Sequence, residues 1–183
     1  MTRRFFDLAF TPAVRAAQNR NGSGEAYGRL PPSDGAPDEL TEIEAVFIAL
    51  RDSFYMATVN EDGWPYVQHR GGPPGFVKVL GPSSIGIADY RGNRQYVSVG
   101  NLKGDSRASL LFMDYPNRRR LKMLARAREI GLADAPDLIA RLSDPAYGAK
   151  IERGLVFEIE AFDWNCPQHI TPRYTEAEFN NLR

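Results

Sequence analysis

The chain has 183 residues, 23 basic and 23 acidic side chains, and one cysteine, Cys166. Balanced charge excludes the bulk electrostatic footprint of a nucleic-acid or membrane binder, so any anion site is local. A lone cysteine excludes an internal disulfide and makes a reducing, cytoplasmic setting the expectation, while a domain of this length buries roughly 70% of its unfolded surface and needs no structural metal.

The N-terminus, MTRRFFDLAFTPAV, has an apolar run broken by Asp7 and Pro12, and reads as mature sequence rather than a signal peptide. Residues 5–18 predict a short helix, with Thr11 as cap and Pro12 at the first helical position. Residues 19–39 are rich in Gly, Pro, Ser and charge, and predict an extended arm. The division expected is thus an N-terminal helix and arm over 1–40 and a main domain over 41–183. Thr41 and Glu44 form a capping box, and Ile43, Val46, Phe47 and Leu50 recur at helical spacing as an apolar face. That helix is expected to end near Asp52 or Ser53.

Strands follow. Residues 54–60 and 64–70 flank Glu61-Asp62-Gly63, a hairpin signal. Gly71-Gly72-Pro73-Pro74-Gly75 interrupts regular pairing and permits close approach to a ligand. Further strands are expected over 76–81, 85–89, 108–114, 121–130 (where Ala and Arg also suit a helix) and 155–162, the last with a solvated acidic face. A helix is expected from Ala135 to Leu142. Six or seven closely spaced, mainly antiparallel strands point to a closed or partly closed barrel.

The stretch from Asp89 to Phe112 carries the strongest functional signal. Its turn, Asp89 to Gln95, precedes a short helix for which Asn93 is the expected N-cap, and helix N-termini of this kind favour phosphates. The other reading is an ordinary capped helix with solvated charges. Cations converge on the same region: His69, Arg70 and Lys78 lie on consecutive strands, Arg94 and Gln95 begin the helix, and Arg120 heads a later strand. Dinucleotide and P-loop fingerprints are absent, as is a nucleophile elbow. Cys166 and His169 have a metal-like spacing, but with one cysteine and two histidines in the chain no metal site is expected. Convincing acid–base pairs do not emerge, and catalytic residues stay unassigned.

The order TVNEDGWPYVQH, FVKVL, GNRQ, SRASLLF and LKMLARA resembles the pyridoxamine 5′-phosphate oxidase-like proteins, which are FMN-binding split β-barrels. RGGPPGF, GNRQY and WNCPQHITPR together resemble an oxidase-related branch of that family, extending the likeness to about residue 173. The resemblance implies a cytoplasmic homodimer, with FMN held at its interface. It implies that His69 or Arg70 meets the flavin phosphate, that Phe76, Val77, Lys78 and Asp89 line the cofactor, and that Asn93-Arg94-Gln95 replaces a Ser-Arg-Lys phosphate turn. Arg120 falls where the oxidases carry a ring-contacting glutamine, and Trp164, Asn165, Gln168 and Arg173 are implied to reach the neighbouring subunit's flavin.

The basic substrate segment of the oxidases is not recognisable in DAPDLIARLSDPAYGAK, and the terminal tryptophan-and-arginine signature is absent from EAEFNNLR. Vitamin B6 oxidation is therefore not the expectation. The expected function is an FMN-dependent oxidoreductase acting on a small molecule, with NAD(P)H as a donor of the right kind. The alternatives are a flavin carrier without turnover, or a barrel holding haem or a deazaflavin.

Overall fold

The computed structural model describes residues 3–28, 31–164 and 166–181. Its helices are α1 (Arg3–Ala9), α2 (Pro12–Arg20), α3 (Gly24–Gly28), α4 (Glu42–Ala49), α5 (Val97–Gly104), α6 (Pro136–Leu142) and α7 (Glu176–Asn180). Its strands are β1 (Ser53–Val59), β2 (Pro65–Gly71), β3 (Lys78–Gly81), β4 (Ser84–Tyr90), β5 (Arg107–Asp114), β6 (Arg119–Ile130) and β7 (Ile151–Trp164). All seven strands join one antiparallel sheet in the order β2-β1-β5-β6-β7-β4-β3.

Alternation along the strands rolls this sheet around one core. Phe54 and Met56 of β1, Leu110 and Phe112 of β5, Leu121 and Met123 of β6, Leu155 and Phe157 of β7, and Ile85 and Ile87 of β4 are buried in a single cluster. Phe54 is its centre, stacked on Phe112 with ring centroids 4.9 Å apart and on Phe76 at 5.9 Å, and edge-on to Phe157. Burying each such ring stabilises the fold by ~1.5–3 kcal/mol. β2 and β3 are the sheet's two edges, and no backbone ladder joins β2 to β3 or β4. The barrel is split along that line, in agreement with the expected fold class.

Several elements differ from expectation, each for a physical reason. The single helix expected over 5–18 is two, because the chain breaks at Phe10 and restarts at Pro12 with Thr11 as N-cap. The 19–39 segment is less extended than expected: α3 lies within it, the Ser33 amide donates to Asp7, and Asp38 accepts from the Phe162 amide. Phe5 and Phe6 are buried against Ala161, so α1 packs onto β7.

α4 has the expected capping box but ends at Ala49, and its orientation is not the expected one. Glu44 is drawn inward by the Trp164 indole, which donates to Oε1 at 2.7 Å. That turns Phe47 and Ile48 into the core and leaves Ile43, Val46 and Leu50 at 64%, 52% and 62% exposure. Residues 76–77 are not strand, although Phe76 and Val77 remain core side chains. β7 is covered on both faces for much of its length, by Ile139 and Leu142 of α6 near Gly154 and by α1 near Ala161. Of its acidic face, Glu158 is exposed and lies 3.8 Å from Arg128, whereas the less exposed Glu160 is paired with Arg126 at 2.7 Å and Arg4 at 3.6 Å.

Candidate anion site at the barrel seam

Strand alternation decides which polar groups reach the interior. On β2, Gln68 and Arg70 stand opposite Met56 and Phe54 of β1 and share their inward face; His69 stands opposite Tyr55 and shares its outward one. Asp89, near the end of β4, is 5% exposed, yet it is ionically satisfied. Its Oδ1 accepts from Arg70 Nη1 at 2.5 Å and its Oδ2 from Arg153 Nη1 at 3.0 Å. Arg153 is Asp89's cross-strand partner on β7, the geometry in which opposite charges pair best on a sheet. The seam that lacks backbone bonds is therefore bridged from β2 through β4 to β7 by side chains.

α5 packs beside the same seam, on β1 and β2. The Ser98 hydroxyl donates to Gln68 Oε1 at 2.9 Å, and Asn101 Nδ2 donates to the Thr58 hydroxyl at 2.9 Å, both within the interior. Asn93 is not the cap of this helix, which begins only at Val97 after Tyr96. Asn93 Oδ1 instead accepts from the Gln95 amide, and Arg94 and Tyr96 adopt left-handed φ values of 62° and 54°. Left-handed residues at these positions delay the helix and hold the loop as a polar turn. Arg94 Nε donates to the Tyr96 hydroxyl at 3.4 Å, and that hydroxyl donates to Glu152 Oε1 at 3.2 Å.

These groups enclose a cavity of about 210 Å³. Three guanidiniums, Arg70, Arg94 and Arg153, face two carboxylates, Asp89 and Glu152, among Gln68, Tyr96 and Ser98. The lining thus keeps one positive charge in excess. Burial works against the charge on Arg153, but its hydrogen bond to Asp89 and the carboxylates of Asp89, Glu129 and Glu152 outweigh that and raise its pKa. The Tyr96 hydroxyl raises the pKa of Arg94 likewise. Both stay cationic at any working pH. Arg70 Nε is buried without a hydrogen-bond partner among the described residues. A buried orphan donor is costly, and it sits on the guanidinium whose Nη1 is held by Asp89. The excess of cations, with the hydroxyl and amide groups beside them, fits a phosphorylated polyol such as the ribityl phosphate arm of FMN.

The structure gathers four of the expected positions here: Arg70, Asp89, Asn93 and Arg94. Of the other ten, nine lie elsewhere or turn away and Asn165 is not among the described residues. His69 packs edge-on against Tyr55 on the outer face, at 5.7 Å, beside Gly71 and Gly72. Phe76 and Val77 bury their side chains in the core. Lys78 pairs with Gly86, on the face where Leu80 and Leu142 of α6 approach. The Gln95 side chain is exposed outside the cavity. Arg120 faces outward on β6, with its Nε buried and unpartnered.

Trp164 has a packing role in this chain, edge-on to Phe47 and beneath the Arg119 guanidinium. Gln168 is exposed, and Arg173 lies over the Tyr115 ring at 5.2 Å. Gln68, Tyr96, Ser98, Glu152 and Arg153 were not among the expected site residues. The outward alternation of His69 and inward alternation of Gln68 and Arg70 was a usable signal for the first. Arg153 and Glu152 could be found only from the pairing of β4 with β7.

Comparison with known proteins locates this architecture. No curated protein matches the chain. Among solved structures, HupZ of Group A Streptococcus superposes with a TM-score of 0.56 at 10% identity, over 74% of this chain and 99% of that one. A candidate pyridoxamine 5′-phosphate oxidase of Lactobacillus delbrueckii gives 0.52 at 24% identity, over 68% and 93%. Both likenesses establish the fold. The family described as pyridoxamine 5′-phosphate oxidase matches residues 40–164, from the capping box of α4 to the end of β7 and across the whole seam. By that match over most of its length, the chain belongs to the pyridoxamine 5′-phosphate oxidase family.

Proposed function

We propose that this protein binds FMN, with the phosphate and ribityl arm in the seam cavity, and works as an FMN-dependent oxidoreductase on a small molecule. The observation that carries the proposal is the excess of guanidinium over carboxylate in a cavity lined by Arg70, Arg94 and Arg153 against Asp89 and Glu152. Arg70 and Arg94 would bind the phosphate, while Gln68, Ser98 and Asp89 offer hydrogen-bonding groups to a polyol. FMN would supply hydride or electron transfer, and the chain's own residues bind and orient it. This division of labour fits a site with cations and amides but no acid–base dyad.

A cavity of about 210 Å³ is smaller than the ~300–1,000 Å³ of common cofactor pockets, so a second copy of the chain is the natural source of the remaining wall. An apolar outer face supports that. Tyr55 and Val67 stand there 37% and 62% exposed, where the solvent side of an antiparallel sheet is ordinarily polar. The reading is therefore a homodimer with two sites.

The purified protein should be yellow, or should take up added FMN with a shifted flavin spectrum; a colourless protein that binds no FMN would overturn the proposal. Anaerobic reduction of the bound flavin by NADH or NADPH would then support an oxidoreductase. A bound flavin that no nicotinamide donor and no screened small-molecule substrate reduces would leave a carrier as the function.

A further inference from the structure

We infer that Glu152 and Arg153, adjacent residues near the start of β7, are the positioning residues of the seam site: Arg153 fixes Arg70 through Asp89, and Glu152 fixes Arg94 through Tyr96. The inference deepens the proposed function and rests on it for the identity of the ligand.

Adjacent strand residues ordinarily point to opposite faces, so two neighbours serving one cavity need a local cause. The register supplies it. Asp89 pairs with Arg153, but the next residue, Tyr90, pairs with Ile151, which leaves Glu152 as the extra residue of a β-bulge. Bulges re-aim side chains in this way and gather beside functional sites. Here the bulge delivers a carboxylate and a guanidinium together to the loop that carries Arg94.

Each reaches a different anion-binding arginine. The Arg153 guanidinium is 15% exposed; it holds Asp89 Oδ2 at 3.0 Å while Asp89 Oδ1 holds Arg70, and it lies over the Tyr96 ring at 5.1 Å. Glu152 Oε1 accepts from the Tyr96 hydroxyl, which accepts from Arg94 Nε. Glu152 Oε2 lies 3.5 Å from Arg153 Nη2, closing the network. Without Arg153, Asp89 has only Arg70 to neutralise it, and Arg70 is pulled from the cavity toward its carboxylate. Without Glu152, the Tyr96 hydroxyl that accepts from Arg94 loses its acceptor on β7.

Affinities of FMN and of riboflavin, which lacks the phosphate, test this in the full chain by flavin fluorescence. Arg153→Met is expected to weaken FMN about tenfold with riboflavin held within about twofold, the scale of one hydrogen bond to a charged group. Glu152→Gln is expected to cost FMN about threefold, again with little change for riboflavin. Arg153→Lys, which keeps a cation beside Asp89, should recover much of the FMN affinity. Equal losses for FMN and riboflavin would show a purely structural role and overturn the inference, as would unchanged FMN affinity in both Arg153→Met and Glu152→Gln.

If Arg153→Met does not fold, Glu152→Gln and Arg153→Lys decide by the same criterion. If the wild-type chain binds no FMN, the proposed cofactor is wrong, and inorganic pyrophosphate followed by phosphorus NMR becomes the probe. Binding in wild type that Arg153→Met weakens about tenfold would uphold the positioning role on its own. No binding, or equal binding, would overturn it.

Discussion

The barrel is held shut in two different ways. Its wall, β1-β5-β6-β7, is stitched by antiparallel backbone ladders over the aromatic cluster centred on Phe54. Its seam, between β2 and β4, has no ladder and is closed by Arg70, Asp89 and Arg153 with Gln68 and Ser98 beside them. The wall draws on apolar burial, which is non-directional and insensitive to ligands. The seam draws on charges that an anion can join or compete with. A cofactor site belongs at the second kind of closure, where the groups that bind the ligand also close the fold.

Substitutions at the two closures should separate. Phe54→Ala removes the ring on which three others pack and should cost ~3–5 kcal/mol of stability, measured by urea unfolding. A loss under about 1 kcal/mol would mean that the wall is not held by this cluster. Asp89→Ala strips two nearly buried guanidiniums of their shared counter-ion and should cost about 3 kcal/mol, with FMN or phosphate recovering part of it by binding the freed arginines. Stability indifferent to Asp89 would mean that the seam closes by other contacts. Arg94→Ala should leave stability unchanged, because the side chain is exposed, yet weaken FMN by ~1.5–3 kcal/mol in a binding titration. Unchanged affinity would place the phosphate elsewhere.

The smallest effect is in pH. Burial works against ionisation of Glu44, but hydrogen bonds from the Thr41 hydroxyl, the Trp164 indole and the Thr41 amide outweigh it and hold its pKa below the ordinary 4.5. A depressed carboxylate contributes stability that is fully present above its ordinary value and lost as pH falls through the lower, folded one. Trp164 fluorescence should therefore titrate with a midpoint below 4.5 in the folded protein, and Glu44→Gln should abolish the transition. A midpoint at or above 4.5 would contradict the assignment.

Local chemistry was legible in the sequence and long-range register was not. The Thr41–Glu44 capping box, the Asp62-Gly63 hairpin and the strand at 121–130 depend on neighbouring residues, and each stands in the structure as read. On α4, periodicity gives a stripe without saying which side is inward, and the Glu44–Trp164 bond decides that from 120 residues away. In the site, Arg70 and Arg94 were named from their chemistry. Arg153 was invisible because its meaning comes from standing opposite Asp89, and Glu152 because its direction comes from a bulge. His69 and Lys78 have suitable chemistry, but strand register places them on faces turned away from the seam cavity.

The most direct test of a phosphate site at the seam is a paired titration of the ligand-free wild-type protein with FMN and riboflavin. Binding of FMN at least about tenfold tighter than riboflavin is the predicted result, since only FMN offers an anion to Arg70 and Arg94. Equal affinities, or no binding of either, would contradict it.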